Sequence, residues 1–172
     1  MLKLATLVAF IATPLAAADA VAPIAWEPDL ANFEKLESYL QKECPSLPVT
    51  LFPCGLGSKT ASVSFASGQG AASAIAEGGA QRTTILQADH AMGNQPVTLV
   101  KLDIEGAETD ALEGMRSLIE RQCPGLAICV YHRPDDLFRI PAFIQSWNLS
   151  YRLHLRAHCW NTFDTVLYAL PD

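Results

Sequence analysis

From Val21 onward, short apolar runs of four to six residues alternate with stretches of helical spacing. Runs of that length suit strands and are too short for buried helices. Val21–Trp26 is such a run, bounded by the turn-like Glu27-Pro28-Asp29. Leu30, Phe33, Leu36 and Leu40 then recur at three and four, with Glu34, Lys35, Glu37 and Lys42 on the other side. That spacing predicts an amphipathic helix, and Asp29 is a suitable N-cap. Val49–Phe52 is the next strand, and it stops at Pro53 and Gly55. Residues 58–80 are rich in Gly, Ser and Ala and read as a hairpin with an exposed loop. Ala61–Phe65 is a possible strand in it, and Thr83–Leu86 is another short strand. Val97–Leu102 is a β-rich buried strand. A helix follows, with Ala111, Leu112, Met115, Leu118 and Ile119 on one face, and stops at Cys123-Pro124-Gly125. Leu126–Tyr131 is a fully apolar strand, followed by a helix over about Asp136–Trp147. Tyr151–Arg156 and Thr165–Ala169 have no helix between them, so they predict a closing hairpin. Strands alternating with helices indicate an α/β fold with a mostly parallel sheet and an antiparallel strand at one edge.

Composition narrows the function. Half of the residues are hydrophobic and 17% are charged, which excludes a disordered chain or a coiled coil. Twelve Lys and Arg against eighteen Asp and Glu give a net charge of −6. A binder of nucleic acid through its phosphates is excluded, since no basic run exists to neutralise them. An anionic membrane surface is excluded on the same ground. The five cysteines, Cys44, Cys54, Cys123, Cys129 and Cys159, are widely spaced and form no CxxC. They read as reduced structural thiols, with Cys129 in the core. There is no GxSxG elbow around Ser58, Ser62, Ser64 or Ser73, and no GxxxxGK[ST] phosphate loop.

The first twenty residues have two readings. Lys3, the apolar Leu4–Leu15 and the small Ala16-Ala17-Ala18 outline a secretory signal. The stretch is too short to span a bilayer. Alternatively, Leu4, Leu7, Val8, Ile11 and Leu15 give one apolar face of a buried helix, with Pro14 near its end. Residues 1–20 are thus a helix or signal-like segment, and 21–172 form one domain.

The chemistry gathers where strands end. In an open parallel sheet, ligands bind beyond the carboxyl ends of the strands. Three strands here end in ionisable residues: Glu27, then Asp103 with Glu105, then His132. A carboxylate in the position of Glu27 can accept hydrogen bonds from both hydroxyls of a ribose. Asp103, Glu105 and Glu108 lie within six residues and repel one another unless a cation sits among them. Glu108 also suits the first turn of a helix, where the dipole favours an anion. No His lies in that segment and its spacing matches no Ca²⁺ loop, so no metal site is expected. His132 follows a buried strand and is of the type most easily poised near neutral pH. His154 and His158 fall on or near the closing hairpin and are not expected to be ligands.

Two segments carry a family resemblance. Trp26-Glu27-Pro28-Asp29-Leu30-Ala31-Asn32-Phe33-Glu34-Lys35-Leu36 resembles the EPD…NF..L stretch of FkbM-type methyltransferases. Lys101-Leu102-Asp103-Ile104-Glu105-Gly106-Ala107-Glu108, with Ala111-Leu112 and Gly114, resembles that family's K-D-I-E-G-A-E…AL.G signature. Tyr131-His132, Asp135-Asp136-Leu137 and Arg156 before the closing VLYA strand are similar too. The resemblance covers about residues 21–170. It implies a class I, Rossmann-like methyltransferase fold that binds S-adenosylmethionine and transfers methyl to a hydroxyl of a sugar, lipid or secondary metabolite. By the same resemblance Glu27 would hold the cofactor ribose, and Asp103 and Glu105 would line its methionine end. Asp103 and His132 would be the catalytic pair, with His132 as base or acceptor-positioning group.

One element of the family pattern is missing. A strand and a D-x-G-A-x-x-G turn should precede Glu27 by about twenty residues. Residues 1–54 contain no glycine; the first is Gly55. Only glycine lets backbone approach a cofactor so closely. The chain is therefore expected to be an N-terminally shortened member, lacking the first strand and glycine-rich turn and binding the cofactor weakly or not at all. A non-catalytic binding domain derived from the family is the alternative function. The resemblance implies a cytoplasmic protein; cleavage after Ala18 would make it a secreted one. A small-molecule or glycan acceptor is the expected partner, with its selecting residues in the 66–82 loop and the closing hairpin. The sequence does not indicate an oligomeric state.

Overall fold

The computed structural model describes residues 8–14, 21–67, 74–75, 81–160 and 164–172. The strand and helix alternation is present. β1 (Val8–Pro14) and β2 (Val21–Trp26) precede helix α1 (Leu30–Glu43). The Asp29 carboxylate caps α1, accepting from the backbone N–H of Ala31 at 3.0 Å and of Asn32 at 3.1 Å. β3 (Thr50–Phe52), β4 (Gly55–Leu56), β5 (Ala61–Ala66), β6 (Ala74–Ile75) and β7 (Gln81–Leu86) follow, then the short α2 (Ala88–Met92). β8 (Leu99–Asp103), α3 (Glu108–Gly114), α4 (Arg116–Gln122), β9 (Gly125–Cys129), α5 (Asp136–Gln145), β10 (Tyr151–Ala157) and β11 (Thr165–Pro171) complete the chain.

Seven strands form the main sheet in the order β10-β11-β9-β8-β1-β2-β3. Two expectations are corrected here. The sheet is mixed rather than mostly parallel: β2–β3 and β8–β9 pair parallel, whereas β1 with β2, β1 with β8, β9 with β11, and β10 with β11 pair antiparallel. The N-terminal apolar segment supplies a strand rather than a helix. β1 lies between β2 and β8, with Ala9 opposite Trp26 and Val8 opposite Asp103. A short apolar run does not distinguish a strand from a buried helix by spacing alone. Val8, Phe10, Ile11 and Thr13 are strand formers, and the backbone edges of β2 and β8 both find hydrogen-bond partners in this run.

The central position is therefore filled, but in reverse. At the end of the sheet where β2 and β8 finish, β1 begins. The glycine-rich stretch, read as a hairpin and a loop, builds a second sheet in the order β4-β7-β5-β6. The Ala61–Phe65 and Thr83–Leu86 strands pair antiparallel in it, a pairing the sequence did not indicate.

The single helix expected after β8 is broken at Met115, where α3 gives way to α4. Its apolar face is nevertheless intact. Ala111, Leu112, Met115, Leu118 and Ile119 are all fully buried. They pack with Val100 and Leu102 of β8, Leu126 and Ile128 of β9, and Ile140 and Ile144 of α5. Alternation along the strands sends Ala127 and Cys129 to the other face, into a smaller cluster with Val166, Tyr131 and Tyr168. No helix among the described residues is long and apolar enough to cross a membrane.

Candidate functional site

A cavity of about 900 Å³ opens between the ends of β2 and β8, the second sheet and the α3–α5 side. Drug-sized ligands occupy cavities of roughly 300–1,000 Å³. Its apolar wall comes from Trp26, Pro28, Leu56, Phe65, Ile85 and Phe143. Its polar wall begins with the Ile104-Glu105-Gly106-Ala107 turn that leaves β8 and continues through Thr109, Asp110 and Glu113 of α3. Asp110 also ties the two layers together, because its carboxylate accepts from Ser58 N–H at 3.0 Å.

Of the residues read from sequence, Glu105 lines this cavity and Glu27, Asp103 and His132 do not. Glu27 stands at the end of β2, between Trp26 and Pro28, which do. Its side chain is 1% exposed, and Oε1 accepts from Asp29 N–H at 2.8 Å. Asp103 falls on the other face by strand alternation. There it receives Lys101 Nζ at 3.0 Å and the Tyr131 hydroxyl at 3.1 Å. Burial alone would raise its carboxyl, but the Lys101 ammonium prevails and holds it below the ordinary value.

His132 is enclosed by the three carboxylates. Nδ1 lies 2.8 Å from Glu108 Oε1; Nε2 lies 3.4 Å from Asp103 Oδ1 and 3.6 Å from Glu105 Oε1. The imidazole packs on the Tyr131 ring at 4.2 Å. Glu108, 1% exposed, spends the same Oε1 on the N–H of Ile104 at 2.8 Å. Burial lowers the His132 pKa, but Glu108 foremost, with Glu105 and Asp103, more than offsets this and raises it above the ordinary value. Glu105 is raised, mainly by burial and further by its acidic neighbours. It adopts φ 54°, a left-handed conformation that costs a non-glycine residue about 1 kcal/mol or more, and Gly106 follows at φ 91°. The acidic surroundings favour the protonated ring, which packs against the turn that forms the cavity wall. No group of three or more His, Cys, Asp and Glu among the described residues is arranged to hold a metal ion.

Comparison with known proteins decides the family. The model of the methyltransferase FkbM domain matches residues 14–153. The chain belongs to this family. A crystal structure of a methyltransferase FkbM from Methylobacillus flagellatus KT matches with a TM-score of 0.66 and 30% identity over 84% of this chain. The chain spans 35% of that protein's length. None of the curated proteins matches.

Within the FkbM domain, three arginines on the cavity escaped the sequence reading: Arg116, Arg133 and Arg139. The only signal for Arg133 was its place directly after His132. Nothing in the spacing marked Phe65 and Ile85, which reach the cavity through the second sheet. The acceptor-selecting loop expected at 66–82 lies partly outside the described residues. No described residue of the closing hairpin lines the cavity. His154 is exposed, and His158 Nε2 sits 2.9 Å from the Tyr168 hydroxyl.

Proposed function

We propose that this FkbM domain binds S-adenosylmethionine in the 900 Å³ cavity and serves methyl transfer to a hydroxyl oxygen of a sugar, lipid or secondary metabolite. The observation that carries this is the position of the cavity, at the carboxyl ends of β2 and β8, with an apolar side and an acidic turn. The residues present suit both ends of such a cofactor. Trp26, Pro28, Phe65 and Ile85 offer an apolar surface to a nucleoside, and Glu105 offers a carboxylate to the cationic end. Glu27, beside them, is 1% exposed and bonded to the Asp29 N–H, so its carboxylate would have to turn outward to meet the ribose hydroxyls. The bound cofactor would supply an activated methyl on a sulfonium.

The chain's own task is to align donor and acceptor and to exclude water, which accounts for most of the catalysis such a reaction needs. An acidic wall also favours the cationic donor. Asp103 and His132 act from behind that wall. Both ring nitrogens of His132 are buried, so it positions Glu105 rather than meeting the acceptor.

A second reading, a binding domain without catalysis, is favoured by one specific observation. β1 runs opposite to β2 and β8, and among the described residues no glycine turn joins it to the cavity. Ligand-observed NMR with S-adenosylmethionine on Met1–Asp172 tests both. A dissociation constant near millimolar is expected, since the apolar and acidic walls are present while residues 1–54 supply no glycine for a close backbone approach. Micromolar binding would refute the importance of the missing turn. No binding at millimolar ligand would remove the cofactor assignment and leave the second reading.

A further inference from the structure

The cavity holds a cationic feature that the cofactor reading leaves unused. Arg116, Arg133 and Arg139 all line it, in a chain of net charge −6. Two are engaged. Arg116 Nε is 2.8 Å from Glu120 Oε1, and its guanidinium stands 5.9 Å from the centre of the Trp147 ring. Arg139 donates to Thr109 Oγ1 at 3.1 Å and lies 3.6 Å from Asp135 and 3.8 Å from Asp136. No carboxylate among the described residues lies within ion-pair distance of the Arg133 guanidinium, although burial raises the Asp136 carboxyl and the Arg133 charge opposes that rise.

Yet Arg133 is held in place at both ends. Its backbone N–H donates at 3.1 Å to Asp136, whose side chain is 1% exposed. Its side chain lies over Gly106, where a Cβ would fall 2.9 Å from Arg133 Nε and 3.5 Å from Cγ. Gly106 is therefore glycine for two reasons, its φ of 91° and this close approach. A positioned, unpaired guanidinium in a cavity wall presents a fork of donors that matches an oxyanion.

We infer that the methyl acceptor carries an oxyanion, phosphate or carboxylate, and that Arg133 receives it. The acceptor's role rests on the methyltransferase reading. The other source of such a group is the cofactor's own carboxylate. Topology favours the acceptor. Arg133 follows β9, which lies on the far side of β8 from β2 and Glu27, and the cofactor is assigned to the β2–β8 side.

The test titrates inorganic phosphate, acetate and S-adenosylmethionine into the wild-type chain, Arg133→Met and Arg152→Met. Arg152 serves as control because it pairs with Asp172 on the closing hairpin, away from the cavity. The expected result is about tenfold weaker phosphate and acetate binding in Arg133→Met only, with S-adenosylmethionine affinity unchanged. Equal phosphate and acetate affinity in wild type and Arg133→Met would overturn the inference. So would a fall in S-adenosylmethionine affinity in Arg133→Met, which would assign the arginine to the cofactor. Arg133-dependent phosphate binding without any S-adenosylmethionine binding would keep the oxyanion site and overturn the methyl-transfer reading instead.

Discussion

Replacing Glu108 by alanine is expected to destabilise the protein by about 3–5 kcal/mol, because it strips one partner from a buried ionic contact and leaves the other in place. Glu108 is 1% exposed, and its Oε1 serves both His132 Nδ1 and the Ile104 N–H. Without it the imidazolium loses its nearest anion, and a buried backbone donor loses its acceptor. At this chain length the loss corresponds to a fall in Tm of about 10 °C or more. Glu108→Gln keeps an acceptor for Ile104 and removes only the charge, so it should cost less, about 1–3 kcal/mol. Thermal denaturation of the two variants checks the order. Equal stability of Glu108→Ala and wild type would show that the cluster does not hold the fold.

The same cluster sets a pH dependence. The folded-state pKa of His132 is raised above its unfolded value, so folding favours the protonated ring. Its contribution is fully present below the ordinary histidine value of about 6.5 and is lost as pH rises through the raised folded value. The groups that face the ring are Glu108, Glu105, Asp103 and Tyr131. Wild-type stability should therefore fall with rising pH relative to His132→Gln, measured by urea denaturation on either side of neutrality. A constant difference between the two proteins across that range would contradict the assignment.

The second large effect concerns backbone packing. A Cβ at Gly114 would overlap the carbonyl oxygen of Gly57, and the chain cannot rotate a backbone atom aside as it would a side chain. Gly114→Ala is therefore expected to cost about 3 kcal/mol, at the upper end of overpacking effects. It would also separate α3 from the loop that carries Ser58, whose N–H bonds to Asp110. Gly93 is the control. Nothing lies within 4 Å of its added Cβ, and only its φ of 55° resists substitution. Gly93→Ala should cost about 1 kcal/mol. Urea denaturation ranks the pair, and a Gly114→Ala variant as stable as Gly93→Ala would contradict the close contact.

Much of this was legible in the sequence where one local cause determined the outcome. Asp29 caps α1 as its position before a periodic apolar run predicts. The buried Ala111, Leu112, Leu118 and Ile119 of α3 and α4, and Met115 between them, follow from spacing alone. The acidic segment called for a positive group, and Lys101 pairs with Asp103, but the ring packed among its carboxylates is His132, which the sequence did not mark for that role. What escaped depended on long-range pairing. The N-terminal run reads as a helix or a signal, and its strand form depends on pairing with β2 and β8, which its own spacing does not show. The weak strand propensity of the Gly, Ser and Ala stretch hid a second sheet that needs β4, far from β5 in pairing order. Asp103 and Glu105 looked alike in sequence. Both stand near His132 Nε2, at 3.4 and 3.6 Å, but β8 ends at Asp103, and the left-handed turn at Glu105 brings the second carboxylate to the cavity. Glu108 was read for the helix dipole and occupies that first turn, yet its larger interaction is with a residue twenty-four positions away.

Backbone amide shift mapping with S-adenosylmethionine tests the central claim most directly, because it reports location as well as binding. The expected perturbations fall on Trp26, Gly55, Leu56 and the Ile104–Ala107 turn, which surround the 900 Å³ cavity. Perturbations confined to the smaller groove along α1, lined by Phe33, Leu40 and Cys44, or none at all, would contradict it.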